Sequence, residues 1–117
     1  MKKQRFEDLE VWKHAYQLSV EIFKAFKGCK DYSFKDQITR ASLSMPSNIA
    51  EGYERDSNKE FIHFLYIAKG SCGELRAQLY IAIEIGYLER EVGIIFIEKA
   101  KEISYMLNGL IQKRKSF

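Results

Sequence analysis

Four stretches of the chain place apolar residues at steps of three and four, the spacing of one face of an α-helix. In the first, Leu9, Trp12, Tyr16, Ser19, Phe23 and Phe26 share a face, widened by Ala15, Val20 and Ile22. Asp8 or a neighbour suits the start of that helix, and Gly28 suits its stop before a loop at residues 29–33. The second stretch runs Phe34, Ile38, Ala41, Met45, Ile49 and Gly52 and contains Pro46, which has no N–H for the carbonyl of Ser42. Either the helix ends near Ser44 and restarts, or it continues with a kink. The apolar step passes through Pro46 in register, which favours one kinked helix.

Ser57-Asn58-Lys59-Glu60 is a capping box, in which the Ser57 hydroxyl accepts from the Glu60 amide and Glu60 reaches back. It opens the third stretch, where Phe61, Leu65, Ala68, Cys72, Leu75, Leu79, Ala82 and Gly86 alternate steps of four and three. That alternation is the seam of a bundle helix. The fourth begins near Glu89 and uses Val92, Phe96, Ala100 (or Lys99), Ile103, Leu107 and Leu110. Short connections make successive helices antiparallel. The pattern therefore predicts an all-α chain, a single domain over residues 1–117, folded as an up-down-up-down antiparallel four-helix bundle.

Two of these helices carry more apolar surface than one core stripe needs. Ile94, Ile95, Phe96 and Ile97 are consecutive, so some must point away from the bundle axis. On the third helix, Ile62, Tyr66, Ala77, Tyr80, Ile81 and Ile85 lie largely off the seam. Gly70, Ser71, Gly73 and Ala77 sharpen the point, because a helix-interior glycine costs about 1 kcal/mol relative to alanine. Close approach by another backbone would offset that cost. A homo-oligomer built through the third and fourth helices, with Tyr80, Ile94 and Ile97 in the contact, explains this better than wide core stripes do.

Composition fits one compact helical domain. Of 117 residues, 46% are hydrophobic and 30% charged, with seven glycines and one proline. No apolar signal core and no 18-residue apolar run occur, so a cytoplasmic protein without membrane contact is expected. Cys29 and Cys72 then read as free thiols. Glu60 and His63 form a Glu-x-x-His step, but a di-iron bundle needs that motif twice plus two further glutamates. The chain has two histidines, and His14 has Val11 three positions before it. Arg55 and Arg5 lie too far before His63 and His14 for the helical-nuclease spacing of four to six. Phosphate-loop and nucleophile-elbow motifs are absent from the sequence. The reading is a protein that is not an enzyme and needs no cofactor or metal.

The net charge is +3, too small to name a partner, but its placement is uneven. Residues 1–30 carry +3, residues 31–56 carry −2, residues 57–88 balance, and residues 89–117 carry +2. Both termini lie at one end of an up-down-up-down bundle, so Lys2, Lys3 and Arg5 should meet Lys113, Arg114 and Lys115 there. Multiplied by an oligomer, these six could hold nucleic-acid phosphates by counterion release. Solubility and the dipole of the last helical turn account for terminal cations equally well.

On the second helix Arg40, Ser44, Ser47, Asn48, Glu51 and Arg55 recur at about every fourth position. This stripe is either a solvated face with i,i+4 pairs or a polar network at a subunit contact or phosphate site. The run from Gln37 through Ser44-Met45-Pro46-Ser47-Asn48-Ile49-Ala50-Glu51-Gly52, followed by Arg55, resembles the signature of bundle proteins encoded in 23S ribosomal RNA intervening sequences. Phe61, Phe64-Leu65, Ile67-Ala68, Gly70-Ser71, Glu74-Leu75 and the opening Phe6, Leu9, Val11-Trp12 are similar to the same family. The first loop, residues 28–33, departs from it in lacking a proline followed by an acidic residue. The resemblance implies a homopentamer without established enzymatic activity. It also implies kinship with the accessory variability determinants of diversity-generating retroelements, which bind nucleic acid and a reverse transcriptase. The expected function is thus phosphate-mediated binding of structured RNA, or of DNA, by a homo-oligomer. The alternative is a protein–protein adaptor, for example for a reverse transcriptase.

Overall fold

The computed structural model describes residues 4–117. A short 3₁₀ turn at Phe6–Asp8 precedes four α-helices: α1 (Glu10–Ala25), α2 (Tyr32–Tyr53), α3 (Asn58–Glu84) and α4 (Arg90–Lys115). α1 packs on α2, α2 on α3, α3 on α4, and α4 returns to α1, giving a four-cornered bundle of 48 × 22 × 20 Å. This is the all-α, up-down-up-down arrangement that the pattern predicts. At the end that gathers the chain termini, the Asn58 side chain donates to the carbonyl of Arg114 over 2.8 Å. At the far end, the Tyr87 hydroxyl donates to the Asp31 carboxylate over 2.7 Å.

The seam of α3 is buried as expected from Phe61 through Ala82. Ser57 starts the helix by accepting from the Glu60 amide at 3.1 Å. Its predicted last seam position, Gly86, does something else. Gly86 has φ +81°, and the Tyr87 and Gly86 amides donate back to Ala82 and Ile83. This is the Schellman closure of a helix, which favours glycine at that position. The chain thereby turns into α4 within a few residues.

α2 runs unbroken through a buried Pro46, as the in-register pattern favours. Asp31 caps it by accepting from the Phe34 amide. Buried hydroxyls in α1 and α2 are mutually satisfied, with Ser19 and Ser42 3.4 Å apart and Ser42 donating to the Thr39 carbonyl.

The expected stripe on α1 holds at Ser19 and Phe26, with Ala15 and Ile22 beside them, and is displaced by one residue elsewhere. Val11, Ala15, Leu18 and Ile22 fill the core, whereas Tyr16 is 50% exposed and Phe23 44%. One residue turns a helix by about 100°, so a neighbouring set of apolar positions can satisfy the same period. Aliphatic side chains take most of the inner positions, Phe26 closes the core at the end of the helix, and Tyr16 and Phe23 lie along the flank. A similar shift corrects α4. Ile97 is 1% exposed and belongs to the core with Phe96, Ala100, Ile103, Leu107 and Ile111, so it is not part of an outer contact surface. The run of isoleucines divides, leaving Ile94 and Ile95 outside.

Two glycines are set by packing. A Cβ on Gly52 would lie 2.6 Å from Phe64 Cβ and 3.3 Å from the Phe61 carbonyl, so α2 and α3 approach there too closely for any side chain. A Cβ on Gly93 would meet the Ile83 side chain.

Gly52→Ala is therefore expected to destabilise the fold by about 1–3 kcal/mol, measured by urea unfolding, because the obstructing atoms are at the base of a side chain and in backbone. The bond from Tyr87 holds the Asp31 carboxyl below its ordinary value of 3.8, with help from the Phe34 amide, and raises the Tyr87 phenol above 10.0. The lowered carboxylate contributes stability above its unfolded pKa and loses it as pH falls through its folded value. The raised phenol contributes below its unfolded pKa and loses it as pH climbs through its folded value. The stability excess of wild type over Tyr87→Phe should hold a plateau between these limits and narrow at both extremes. An excess unchanged at the acid extreme would show that Asp31 is not the group being held.

Candidate nucleic-acid and assembly surfaces

At the end of the bundle where the termini gather, the last turn of α4 brings Lys113, Arg114 and Lys115 beside the N-terminal segment. Leu9 and Glu10 share a shallow depression with Lys113 there. Lys2 and Lys3 lie outside the described residues. The cations have different surroundings. Arg5 is exposed, its side chain 3.6 Å from Asp8. Arg114 lies over two rings, 4.8 Å from the centroids of both Phe61 and Phe117, and its guanidinium reaches the Asn58 side chain at 3.4 Å. Lys115 reaches over the Tyr66 ring at 5.3 Å. Lys113 is exposed. Arg114 thus pins α4 to the start of α3, while Arg5, Lys113 and Lys115 keep charge facing water.

Carboxylates occupy the same end. Glu51, Glu54, Asp56 and Glu60 surround the α2–α3 turn, and Glu7, Asp8 and Glu10 lie at the start of α1. The charge there is mixed, since the cations of the last turn of α4 share this end with Arg5, Arg55 and Lys59 as well as with these carboxylates.

The polar stripe of α2 divides into three parts. Arg40 pairs with Asp36 over 3.0 Å on an exposed flank. In the middle, the Asn48 side chain donates to the Ser44 hydroxyl and carbonyl, and the Ser71 hydroxyl donates to the Ser44 hydroxyl at 2.8 Å. These bonds link α2 to α3. Ser47 is exposed. At the end, Arg55 donates to Glu51 over 2.7 Å and to Glu60 over 3.5 Å, with its guanidinium 4.9 Å from the Phe64 centroid. The Glu51 bond raises the Arg55 pKa further, so this group stays charged. Glu60 serves the helix cap and Arg55, and His63 lies exposed beside the Phe64 ring.

An open groove of about 840 Å³ follows the outer junction of α3 and α4. Lys69, Arg76, Ile94, Glu98, Lys101, Tyr105 and Asn108 line it, and Lys69 spans it to Asn108 at 3.4 Å. Tyr66 and Tyr80 lie on the same row of α3 as Lys69 and Arg76, by steps of three and four. Tyr80 is 51% exposed, Ile94 40% and Tyr105 82%. Tyr105 escapes the sequence pattern because it falls between core positions Ile103 and Leu107 and belongs to no apolar run. Within this chain, nothing lies within 4 Å of where a Cβ would sit on Gly70 or Gly73.

Other chemistry has little to work with. Burial pushes the Cys72 thiol up to about 12, so it stays protonated against Met45. Among the described residues, no group of three or more His, Cys, Asp and Glu is placed to hold a metal, and no helix is long and apolar enough to cross a membrane.

No curated protein matches the chain. A solved structure of a protein with unknown function from the S23 ribosomal protein family of Bacteroides thetaiotaomicron is similar over most of its length. Its TM-score is 0.81 at 27% identity, over 86% of this chain and 97% of that one. Residues 7–109 match the family model described as 23S rRNA-intervening sequence protein. That match covers α1, α2, α3 and most of α4, including the Ser44–Gly52 block, and so the chain belongs to the 23S rRNA-intervening sequence protein family.

Proposed function

We propose that this protein acts as an assembly: a non-enzymatic helical bundle whose copies associate and present their cationic ends to nucleic-acid phosphates. The observation that carries the assembly is the outer face of α3 and α4, where Ile94 and Tyr105 line one open groove and Tyr66 and Tyr80 lie on the row of α3 that carries its Lys69 and Arg76, all four at least 40% exposed. Gly70 and Gly73 support it. Each weakens the helix by about 1 kcal/mol relative to alanine, and no neighbour within the chain requires their lack of a side chain. A second backbone lying across α3 would.

The end of the bundle supplies the nucleic-acid part. One chain offers few free cations, and exposed charges at that density bind phosphate weakly. A ring of copies, five by the family resemblance, would repeat Arg5, Lys113 and Lys115 around one rim. Repetition matters because each phosphate neutralised releases counterions, and the contributions accumulate. Contacts of this kind position a structured RNA or a DNA duplex without reading its bases. A protein adaptor, docking a reverse transcriptase or another protein, is the second reading. It is favoured by the carboxylates around the α2–α3 turn, which would oppose a polyanion on that side.

Light scattering should give a solution mass several times 13.7 kDa. Gly73→Leu should lower that mass while leaving helicity intact, since the new side chain points into open space in the single chain. A wild-type monomer would overturn the assembly. RNA affinity should fall steeply with salt, and a Lys113→Ala/Lys115→Ala variant should show a log–log slope shallower by about 2 per engaged chain. Arg114 is left in place because it holds α4 to α3. No binding at low salt would overturn the nucleic-acid reading and leave the adaptor.

A further inference from the structure

The α3–α4 groove holds charge that the chain leaves unused. Four cations and two carboxylates line it, so positive charge is in excess. Lys99 is engaged by Glu21 at 2.8 Å and Lys101 by Glu98 at 3.2 Å. Arg76 has no such partner. Its Nε–H is shut off from water and meets no hydrogen-bond acceptor among the described residues. A buried donor without an acceptor is costly, more so on a charged group.

Helix register fixes what Arg76 faces. Lys69 meets Asn108 across the groove, and Gly93 lies against Ile83. The antiparallel helices therefore pass with Arg76 level with Lys101, and Gly73 level with Ser104 and Tyr105. From Arg76 to Lys69 the groove runs two helical turns, about 10 Å. Helical side chains lean toward the N-terminus, which carries the Arg76 guanidinium back toward Gly73. The Cys72 thiol agrees with this direction: burial raises its pKa to about 12, and the nearby charge of Arg76 opposes the rise. Gly73 is exposed and bare, and Tyr105 across from it is 82% exposed. The groove thus presents in order two cations, a bare floor beside a ring, and an amide joined to a third cation.

We infer that this groove binds a free nucleotide, its phosphate between Arg76 and Lys101, its base over Gly73 against Tyr105, and the edge of its base at Asn108. Each station matches one part of that ligand. A phosphate oxygen supplies the acceptor that Arg76 Nε lacks, and guanidinium and phosphate pair through two parallel bonds. A base is flat and stacks on an aromatic ring, and only a residue without a side chain lets it lie flush on α3. The Asn108 amide offers a donor and an acceptor, the combination that an adenine edge takes. A small aliphatic carboxylate would satisfy Arg76 but leave Tyr105 and the bare floor unused. The volume, about 840 Å³, is that of a small-molecule site. Glu102 lines the same groove in no ion pair among the described residues, and its charge opposes the phosphate. A nucleotide on Gly73 and a second backbone across it exclude one another. A ligand held only by the open groove therefore draws association toward separate chains, a consequence that rests on the self-association proposed above.

Equilibrium dialysis of the full chain against adenosine 5′-monophosphate should show one site per chain. Adenosine, which lacks the phosphate, should bind about tenfold more weakly or worse, and Arg76→Gln should cost the nucleotide a similar factor. Tyr105→Ala should weaken the nucleotide while leaving inorganic phosphate unchanged, and Glu102→Gln should tighten both. These positions lie outside the core, so the variants should fold, which circular dichroism checks. Where Arg76→Gln lowers helicity, Arg76→Lys, which keeps the charge and loses the fork, repeats the test. No binding at millimolar nucleotide would overturn the site, as would an Arg76→Gln chain that binds like wild type. A short oligoadenylate that binds through Arg76 where the mononucleotide does not would overturn the free nucleotide as occupant. Saturating nucleotide should lower the solution mass of associated wild type, and an unchanged mass would overturn the competition while leaving the site. A wild type that is monomeric from the outset and still binds the nucleotide would overturn the association alone.

Discussion

The close approach of α2 and α3 at Gly52 is the constraint from which the arrangement of that end of the bundle follows. With no Cβ at Gly52, the α2 backbone comes against Phe61 and Phe64 in the first two turns of α3. Both rings also carry guanidinium groups, Phe61 that of Arg114 and Phe64 that of Arg55. Arg114 ties the end of α4 to the bundle, and Arg55 binds Glu51 and Glu60 across the α2–α3 turn. A side chain at residue 52 would therefore disturb more than one contact. It would displace the platform on which the cations of this end are arranged. Further along the same pair of helices, Ser44 with Ser71 and Met45 with Cys72 keep the separation small.

That dependence explains which parts of the structure the sequence discloses. The α3 seam is legible because one set of positions keeps the alternating steps of four and three without a gap from Phe61 to Ala82, whereas the other apolar residues of the helix are interrupted. α1 is not, because Trp12, Tyr16 and Phe23 offer a second set of the same period, made of larger residues. Periodicity reports that a face exists; the volume available inside decides which face it is. Ile97 follows the same rule, since four consecutive apolar residues span every side of a helix and only packing divides them. Gly86 shows a different limit. A glycine in phase with a seam can equally be the left-handed residue that ends it, and the two differ in φ, which the apolar pattern does not report.

The charged residues separate similarly. Sequence order places Arg5 and Lys113–Lys115 at one end, and the fold does bring that end together. What order cannot convey is occupation: Arg114 is held between rings and an amide, whereas Lys113 faces solvent. The polar stripe of α2 likewise looks uniform along the sequence. In three dimensions it is a surface pair at Arg40, an interhelical link at Ser44 and Asn48, and an end brace at Glu51 and Arg55. Exposed pairs such as Arg40 with Asp36 contribute at most about 1 kcal/mol. The middle link, partly buried, has more to lose from an unpaired hydroxyl.

The glycines give the strongest internal comparison. Gly52 and Gly93 are required by neighbours in the same chain, and Gly86 by its backbone angle. Gly70 and Gly73 meet neither condition, yet they sit in the middle of a 27-residue helix, where glycine is most costly. A helix that gives up this much intrinsic stability while carrying Tyr66, Ile67, Tyr80 and Ile81 outward is poorly explained as the outer wall of a monomer. It fits the inner wall of the assembly proposed above. In the proposed assembly the exposed rings would supply burial and the missing side chains proximity, which is the compensation that a lone chain does not offer.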